Sequence, residues 1–523
     1  MKSKYILSFA AVLLIVLGGC KKYLDINTDP ATPQTPNSKT LTMPLFAQME
    51  RGVQFDSRYL SNVIQFWGRN TSNYFAEVHG WLQGSDATGE IWRTNYFGLG
   101  ANLGLIMDDA TAKEEYNFLG LAQSLRAWSW QITTDYHGDI ILKEAFEPNR
   151  YVFDYDPQPD VYAEVVRLAN ESIANFSRTD GKGTVAAMAP SDLIYHGDNS
   201  KWIKFNYGLL ARNLNNQINK ADYNPEKVIE YCDKSLASNS DNFIIPNDGT
   251  TSANANFFGP LRSNIGTFRQ TNILVGLLNG TLNGPLTNPQ DTIVDPRRNN
   301  MITASPDGIF RGVLPAVGDP GTTALKNIMP NPWGIPGSTN PGAGNGKYLF
   351  KDNAGFPIMT YAEIQFIKAE AAFRANQPTV AYDAYKKGIL AHIEFVSNLG
   401  PAISNAKRDA YMLSASVKQS AATLTLSDIM LQKFIALWGY GFVETWSDLR
   451  KYHYNVGDSQ GNNPYAGYFD FPATFYADNG GKPAQRYRPR YNSEYIWNLE
   501  ALKKIGGDKP DYHTYVMWFS EPN

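Results

Sequence analysis

Hydrophobic positions along the chain fall into three regimes. The first is a short apolar run, Tyr5 to Leu17, preceded by Lys2 and Lys4 and closed by Leu17-Gly18-Gly19-Cys20. A basic start followed by a run of this length predicts a secretory signal peptide, because a mature membrane-spanning helix needs about 20 apolar residues. A cysteine directly after two glycines predicts a lipoprotein processing site, since small residues let a peptidase bind the extended backbone closely. Cleavage there leaves Cys20 first in the mature chain, lipidated on its thiol and N-terminus. Each buried methylene of the acyl chains adds about 0.8 kcal/mol to membrane retention. From Cys20 to about Thr40 the sequence becomes rich in Pro, Thr and Asn, the composition of an extended tether. Residues 1–19 therefore read as signal, 20–40 as lipidated tether and 41–523 as a single domain.

The second regime is helical. Leu121, Leu125, Trp128 and Ile132 recur at helical spacing, as do Tyr162, Val166, Ala169, Ile173 and Phe176. Ile203, Tyr207, Leu210, Leu214 and Ile218 form a third stripe, and Pro225 sits where a following helix can start. Met359, Ala362, Phe366, Ala369 and Phe373 line another face. After the turn Asn376-Gln377-Pro378, Ala381, Tyr385 and Gly388 show the small-aromatic-small spacing of a tetratricopeptide second helix. Leu426 to Leu437 and Phe442 to Tyr452 make a further hairpin around Gly439 and Gly441, and a short helix is predicted near Ser493 to Lys504. Stacked hairpins sharing one core make an all-α fold of tetratricopeptide-like hairpins.

In the third regime, about 240–357, periodicity fades and Gly, Pro, Asn and Thr dominate, with turn signals at Asn279-Gly280, Asn283-Gly284-Pro285 and Pro330-Asn331-Pro332-Trp333-Gly334. Phe257, Phe258, Phe268, Phe310, Trp333 and Tyr348 are too many rings for a solvated linker, so an ordered, loop-rich half that binds ligand is expected. Composition narrows the function. Net charge is −3 with no long basic run, which excludes the electrostatic footprint of a nucleic-acid binder. Of the two cysteines, lipidation consumes Cys20 and leaves Cys232 as a small buried helical residue, so there is no disulfide scaffold.

Several segments resemble the SusD/RagB family of outer-membrane lipoproteins. They are the start Cys20-Lys21-Lys22-Tyr23-Leu24-Asp25, the run Trp202 to Arg212, Asp295-Pro296-Arg297, Tyr361 to Ala371, and Trp446-Ser447-Asp448-Leu449-Arg450, in the same order. At Leu431 to Trp438 the chain lacks the charged Arg-Glu helix of many members and is closer to the divergent, nutrient-binding branch. The resemblance implies four tetratricopeptide-like helix pairs and an irregular half bearing the ligand site. It also implies a place on the outer face of the outer membrane, held by the lipid anchor, and a SusC-like TonB-dependent transporter as partner. Oligosaccharide or peptide is then caught and passed on for import.

Catalytic signatures are sparse. His79, His137, His196, His392, His453 and His513 form no metal-ligand pair, Gly-x-Ser-x-Gly is absent, and Gly342 to Lys347 departs from a phosphate loop at both ends. Asp154-Tyr155-Asp156 lacks the glycine of a calcium loop and reads as a turn. No catalytic residue, cofactor or metal is expected, although a carboxylate pair hidden in the loops, as in a surface glycoside hydrolase, stays open, as does a purely structural transporter lid. Binding chemistry is richer: sugar rings pack an apolar face on Trp or Tyr, and their hydroxyls need planar polar partners. Trp67, Arg69, Asn70, Tyr74 and Trp81 supply both in one stretch, and Phe258, Arg262, Asn264, Arg269 and Trp333 do so in the mid-chain loops. For each ring, burial in the core is the competing reading. The family resemblance implies that Trp92, Tyr96 and Asn102 are structural, and they are left out.

Overall fold

The computed structural model describes residues 37–280, 294–319 and 328–522. The signal sequence, Cys20, the tether to residue 36 and the Asn283-Gly284-Pro285 turn lie outside the described residues.

The first helix, α1 (Ser38–Val63), is one that the hydrophobic pattern does not announce. Asn37 caps it by accepting the Thr40 N–H at 3.0 Å, and Ser38 donates both its N–H and its hydroxyl to Asp109 at 2.8 Å. It then runs through the centre of the molecule, so Gln54, Asp56, Ser57 and Ser61 are buried beside Leu45, Phe46, Met49, Val53 and Leu60. With these polar residues and Pro44 inside it, the segment has low overall hydropathy although its apolar positions recur at helical spacing. Next come α2 (Ala101–Ala112), α3 (Tyr116–His137), α4 (Gln158–Phe176), α5 (Asn199–Asn216) and α6 (Pro225–Lys234). After the irregular insert follow α7 (Tyr361–Arg374), α8 (Pro378–Leu399), α9 (Leu426–Leu437) and α10 (Phe442–Lys451). The expected hairpins α3/α4, α5/α6, α7/α8 and α9/α10 are present, and α4 on α5, α6 on α7 and α7 on α9 stack them into an all-α superhelix.

Pro225 and Pro378 open α6 and α8 at their first turns, and Thr425 with Asp428 forms a capping box on α9. The stripe predicted on α5 is met in part: Leu210 and Ile218 are buried, whereas Ile203, Tyr207 and Leu214 are half-buried and Trp202, Phe205 and Leu209 turn inward beside them. The cause is polar: Asn206, fully buried, donates to the Ser124 and Ser172 hydroxyls of α3 and α4 at 2.8 and 3.0 Å and orients the helix on them.

Buried ion pairs tie the hairpins together. Arg212 of α5 grips Glu363 of α7 with two bonds of 2.5 and 2.7 Å and reaches Glu444 of α10 at 3.1 Å. Lys433, Lys451, Glu370 and Asp448 link α7, α9 and α10 within 2.8 to 3.9 Å. Arg297 pairs with Asp295 at 2.6 Å and donates to Gln432 of α9, fixing the insert to the helices. Cys232 is buried. Two short antiparallel sheets join the insert to the segments around it: β1 (Trp67–Arg69) pairs with β3 (Phe268–Gln270), and β2 (Phe243–Ile245) with β4 (Phe356–Met359). Among the described residues no helix is long and apolar enough to cross a membrane.

Candidate ligand-binding surface

The β1–β3 ladder decides which of the candidate residues reach the surface. Its register sets Trp67 opposite Gln270, Gly68 opposite Arg269 and Arg69 opposite Phe268. Gly68 is required where it stands, because a Cβ there would lie 2.7 Å from Val313 and 2.9 Å from the Glu77 carboxylate. Trp67 is wholly buried, its ring 5.4 to 5.7 Å from Phe258, Phe268, Phe350 and Phe442. Phe258 belongs to the same cluster, and Trp333 is buried with its indole N–H on the Phe258 carbonyl at 2.7 Å. These three rings are core, so no ligand meets them; the insert folds its aromatics inward because it has few helices to supply apolar surface. Arg269 is buried too. It pairs with Asp319 at 3.1 Å, and the same Nη2 donates to the Ser338 hydroxyl at 3.1 Å, so it acts on the surface only through Ser338.

One residue further on, the chain emerges. The Arg69 guanidinium lies 4.6 Å from the Tyr74 ring centroid and 5.0 Å from that of Phe268, and donates to the Thr267 hydroxyl. Beneath it Glu77 accepts the Arg69 N–H at 2.8 Å; burial raises this carboxyl to about 7. Tyr74 is half-buried, and desolvation pushes its phenol up to about 12, so it stays a neutral hydroxyl. Asn70 donates to Ser338 at 3.3 Å.

From Tyr74 the surface continues along α1. Tyr74 touches Phe75 at 4.7 Å, Phe75 touches Tyr59 at 5.8 Å, and Arg58 sits 4.1 Å from Phe55 and 5.2 Å from Phe257. Arg262 covers Phe257 at 5.6 Å and is held by the Ser252 carbonyl, while Asn264 donates to the Phe257 carbonyl at 2.9 Å. The result is one strip of half-buried rings interleaved with guanidinium groups, built by α1, the turn after β1 and the mid-chain loop. Arg69, Asn70, Tyr74, Arg262 and Asn264 belong to it. Trp81 does not: it stacks on Tyr495 at 6.0 Å, with Arg488 3.9 Å from its ring. Phe55, Arg58, Tyr59 and Ser338 are additional members. The spacing of Phe55, Arg58 and Tyr59 at i, i+3 and i+4 is the signal that marks them once α1 is known to be a helix.

Such a strip can stack the apolar faces of rings and bond hydroxyls or carbonyls. Glu77 is 1% exposed and already engaged. Asp156, in the Asp154-Tyr155-Asp156 segment, accepts the Leu142 and Lys143 N–H groups at 2.9 Å. Among the described residues no cluster of ligating side chains could hold a metal ion.

Comparison with known proteins gives the fold a family. A SusD-like family model, described as starch-binding and associating with the outer membrane, matches residues 30–464. A SusD/RagB family protein from Bacteroides thetaiotaomicron has 23% identity and a TM-score of 0.69, over 93% of this chain and 99% of that one. A chitin-binding protein matches at 20% identity and a TM-score of 0.65, over 92% and 99%. A chitin-binding SusD homolog from Flavobacterium johnsoniae matches at 18% and 0.66, over 92% and 98%. No protein of curated function matches in sequence. With stacked helical hairpins, a loop-rich insert and a family match over most of its length, the chain belongs to the SusD-like, starch-binding family that associates with the outer membrane.

Proposed function

We propose that the chain is a non-catalytic nutrient-binding lipoprotein of the cell surface. It captures an oligosaccharide on the strip from Asn70 to Arg262 and delivers it to a SusC-like TonB-dependent transporter. Residues 1–19 are its signal, 20–40 its lipidated tether and 41–523 its binding domain, with Cys20 carrying the lipid that holds it at the outer membrane. The observation that carries this reading is the strip itself: half-buried rings interleaved with Arg58, Arg69 and Arg262, whose guanidinium groups lie against them. The apolar face of a pyranose packs on a ring while guanidinium and amide groups bond its hydroxyls. Starch and chitin, named for the family and for two relatives, set the first glycans to try.

Titration calorimetry with maltohexaose, chitohexaose and a peptide library tests the reading. Binding to a glycan, weakened about tenfold or more by Tyr74→Ala or Arg69→Ala, is the expected result, since a tenfold loss corresponds to about 1.4 kcal/mol. Failure to bind any of them, with no transporter barrel co-purifying, sinks it. Wild-type uptake by cells carrying both substitutions leaves only a structural lid.

A further inference from the structure

Away from the strip, a cavity of about 320 Å³ opens between three segments that share no residue with it. Its size falls in the ~300–1,000 Å³ range of small-molecule sites. Two of its walls are π-helical turns, Thr94–Gly100 and Tyr491–Tyr495, a geometry that is rare and concentrates at functional sites. The first turn sends the Phe97 ring to solvent, 72% exposed, at the cavity edge. The third wall is Phe146, whose backbone has φ +71°, a conformation costly for a bulky residue. Arg126 holds its ring from behind at 4.5 Å, and Gly100 leaves the space it occupies, since a Cβ there would lie 2.2 Å from the ring. Strain kept in place to present a half-exposed ring is the kind that marks ligand sites.

The polar side of the cavity is Glu494. It is 5% exposed, and its Oε2 accepts the Tyr155 hydroxyl at 2.7 Å and the Asn498 amide at 2.9 Å. Among the described residues no hydrogen-bond donor meets its Oε1, and Glu494 lines the cavity with Ser493 and Arg490. A purely apolar occupant would leave that oxygen dry and unbonded, at a cost that a ligand hydroxyl removes. Flat rings on two sides and an open carboxylate oxygen on a third match a pyranose, which offers an apolar C–H face and ring hydroxyls.

We propose that this cavity is a second carbohydrate subsite, taking one pyranose unit, with Phe97 and Phe146 as platforms and Glu494 as hydroxyl acceptor. The inference rests on the reading of the chain as glycan-binding. Two separate subsites let a polysaccharide engage both at once, and avidity then exceeds the affinity of either.

Retention on starch and chitin affinity gels and calorimetry with the matching hexasaccharides test it, using Phe97→Ala, Glu494→Gln and Tyr74→Ala. Phe97 is exposed and Glu494→Gln keeps an acceptor for Tyr155, so unchanged thermal unfolding is expected for both. Phe97→Ala and Glu494→Gln should each lower polysaccharide retention about tenfold or more. In the Tyr74→Ala background the residual hexasaccharide binding should vanish on adding Phe97→Ala. Wild-type retention by Phe97→Ala and Glu494→Gln overturns the second subsite and leaves the strip intact. Absence of glycan binding by the unaltered protein overturns both.

Discussion

Trp67 and Tyr74 lie seven residues apart in one aromatic stretch, and replacing each by alanine should damage different properties. Trp67 is wholly buried against four phenylalanine rings, so Trp67→Ala removes its packing and leaves a cavity, at a cost of about 3–5 kcal/mol. An unfolding entropy of about 2.1 cal/mol/K per residue over roughly 500 residues is about 1 kcal/mol/K, so Tm should drop by about 3–5 °C. The indole N–H of Trp67 has no hydrogen-bond partner, a loss of about 1–3 kcal/mol that phenylalanine does not suffer. Trp67→Phe therefore recovers much of what its smaller ring gives up, and its Tm should lie much nearer to the wild-type value than that of Trp67→Ala. Tyr74→Ala removes only a half-buried ring, so it should lower Tm by no more than about 1–2 °C while weakening glycan binding. Differential scanning calorimetry paired with titration calorimetry reads both axes. A Trp67→Ala protein with wild-type Tm and abolished binding would refute the placement of this ring in the core.

Glu50 and Asp56 on α1 are both pushed up to about 8, chiefly by burial. A carboxyl whose folded pKa exceeds its unfolded value takes up a proton on folding. Its contribution is full below the unfolded values of 4.5 and 3.8 and is lost as pH rises to about 8, so Tm should decline across that window. Glu50→Gln with Asp56→Asn should flatten the decline in calorimetry, and an unchanged slope counts against it. Glu370 acts in the opposite sense: burial works to raise it, but Lys451 and Lys433 hold it below the ordinary range, so its contribution disappears on acidification. Glu363→Gln leaves Arg212 short of its principal partner inside the helix stack and should cost about 3–5 kcal/mol by denaturation, whereas a loss below about 1 kcal/mol would show the pair to be expendable. Cys20→Ala should abolish palmitate labelling and release the protein from the membrane fraction; retention of either contradicts the anchor.

Helices marked by a dense apolar run or by a start signal were legible from sequence. Leu426 to Leu437 emerges as α9 with those same limits, and the prolines at 225 and 378 mark the starts of α6 and α8. α1 was not, although its apolar positions recur at helical spacing: Pro44 lies inside it, and buried Gln54, Asp56, Ser57 and Ser61 lower its overall hydropathy. That loss hid Phe55, Arg58 and Tyr59, a large part of the strip. Residue chemistry marked the stretch from Trp67 to Tyr74 but could not say which rings face solvent. That depends on a pairing between β1 and β3 across some 200 residues of chain, and no local pattern carries it. Trp92 and Tyr96 read as structural, and they do pack together at 4.7 Å, yet they also back the cavity that Phe97 opens.

The described segments that carry the family resemblance do internal work. Arg212 and Glu363 clamp α5 to α7, Asp295 and Arg297 bind the insert to α9, and Asp448 meets Lys433 and Lys451. Arg450 donates to the carbonyls of Asp135 and Gln485, joining α10 to α3 and to the C-terminal segment. Each is a buried charge, and removing one member of such a set leaves its partner uncompensated, so these positions constrain one another. None of them touches the strip or the Phe97 cavity. A resemblance resting on these residues therefore identifies the scaffold and carries no information about the ligand. On the proposed reading, ligand choice is set away from that scaffold, at Arg69, Tyr74 and Arg262 on one surface and at Phe97 and Glu494 on the other. Substitutions at those positions can change what is bound without disturbing the helical stack, which is how a single architecture can serve different nutrients.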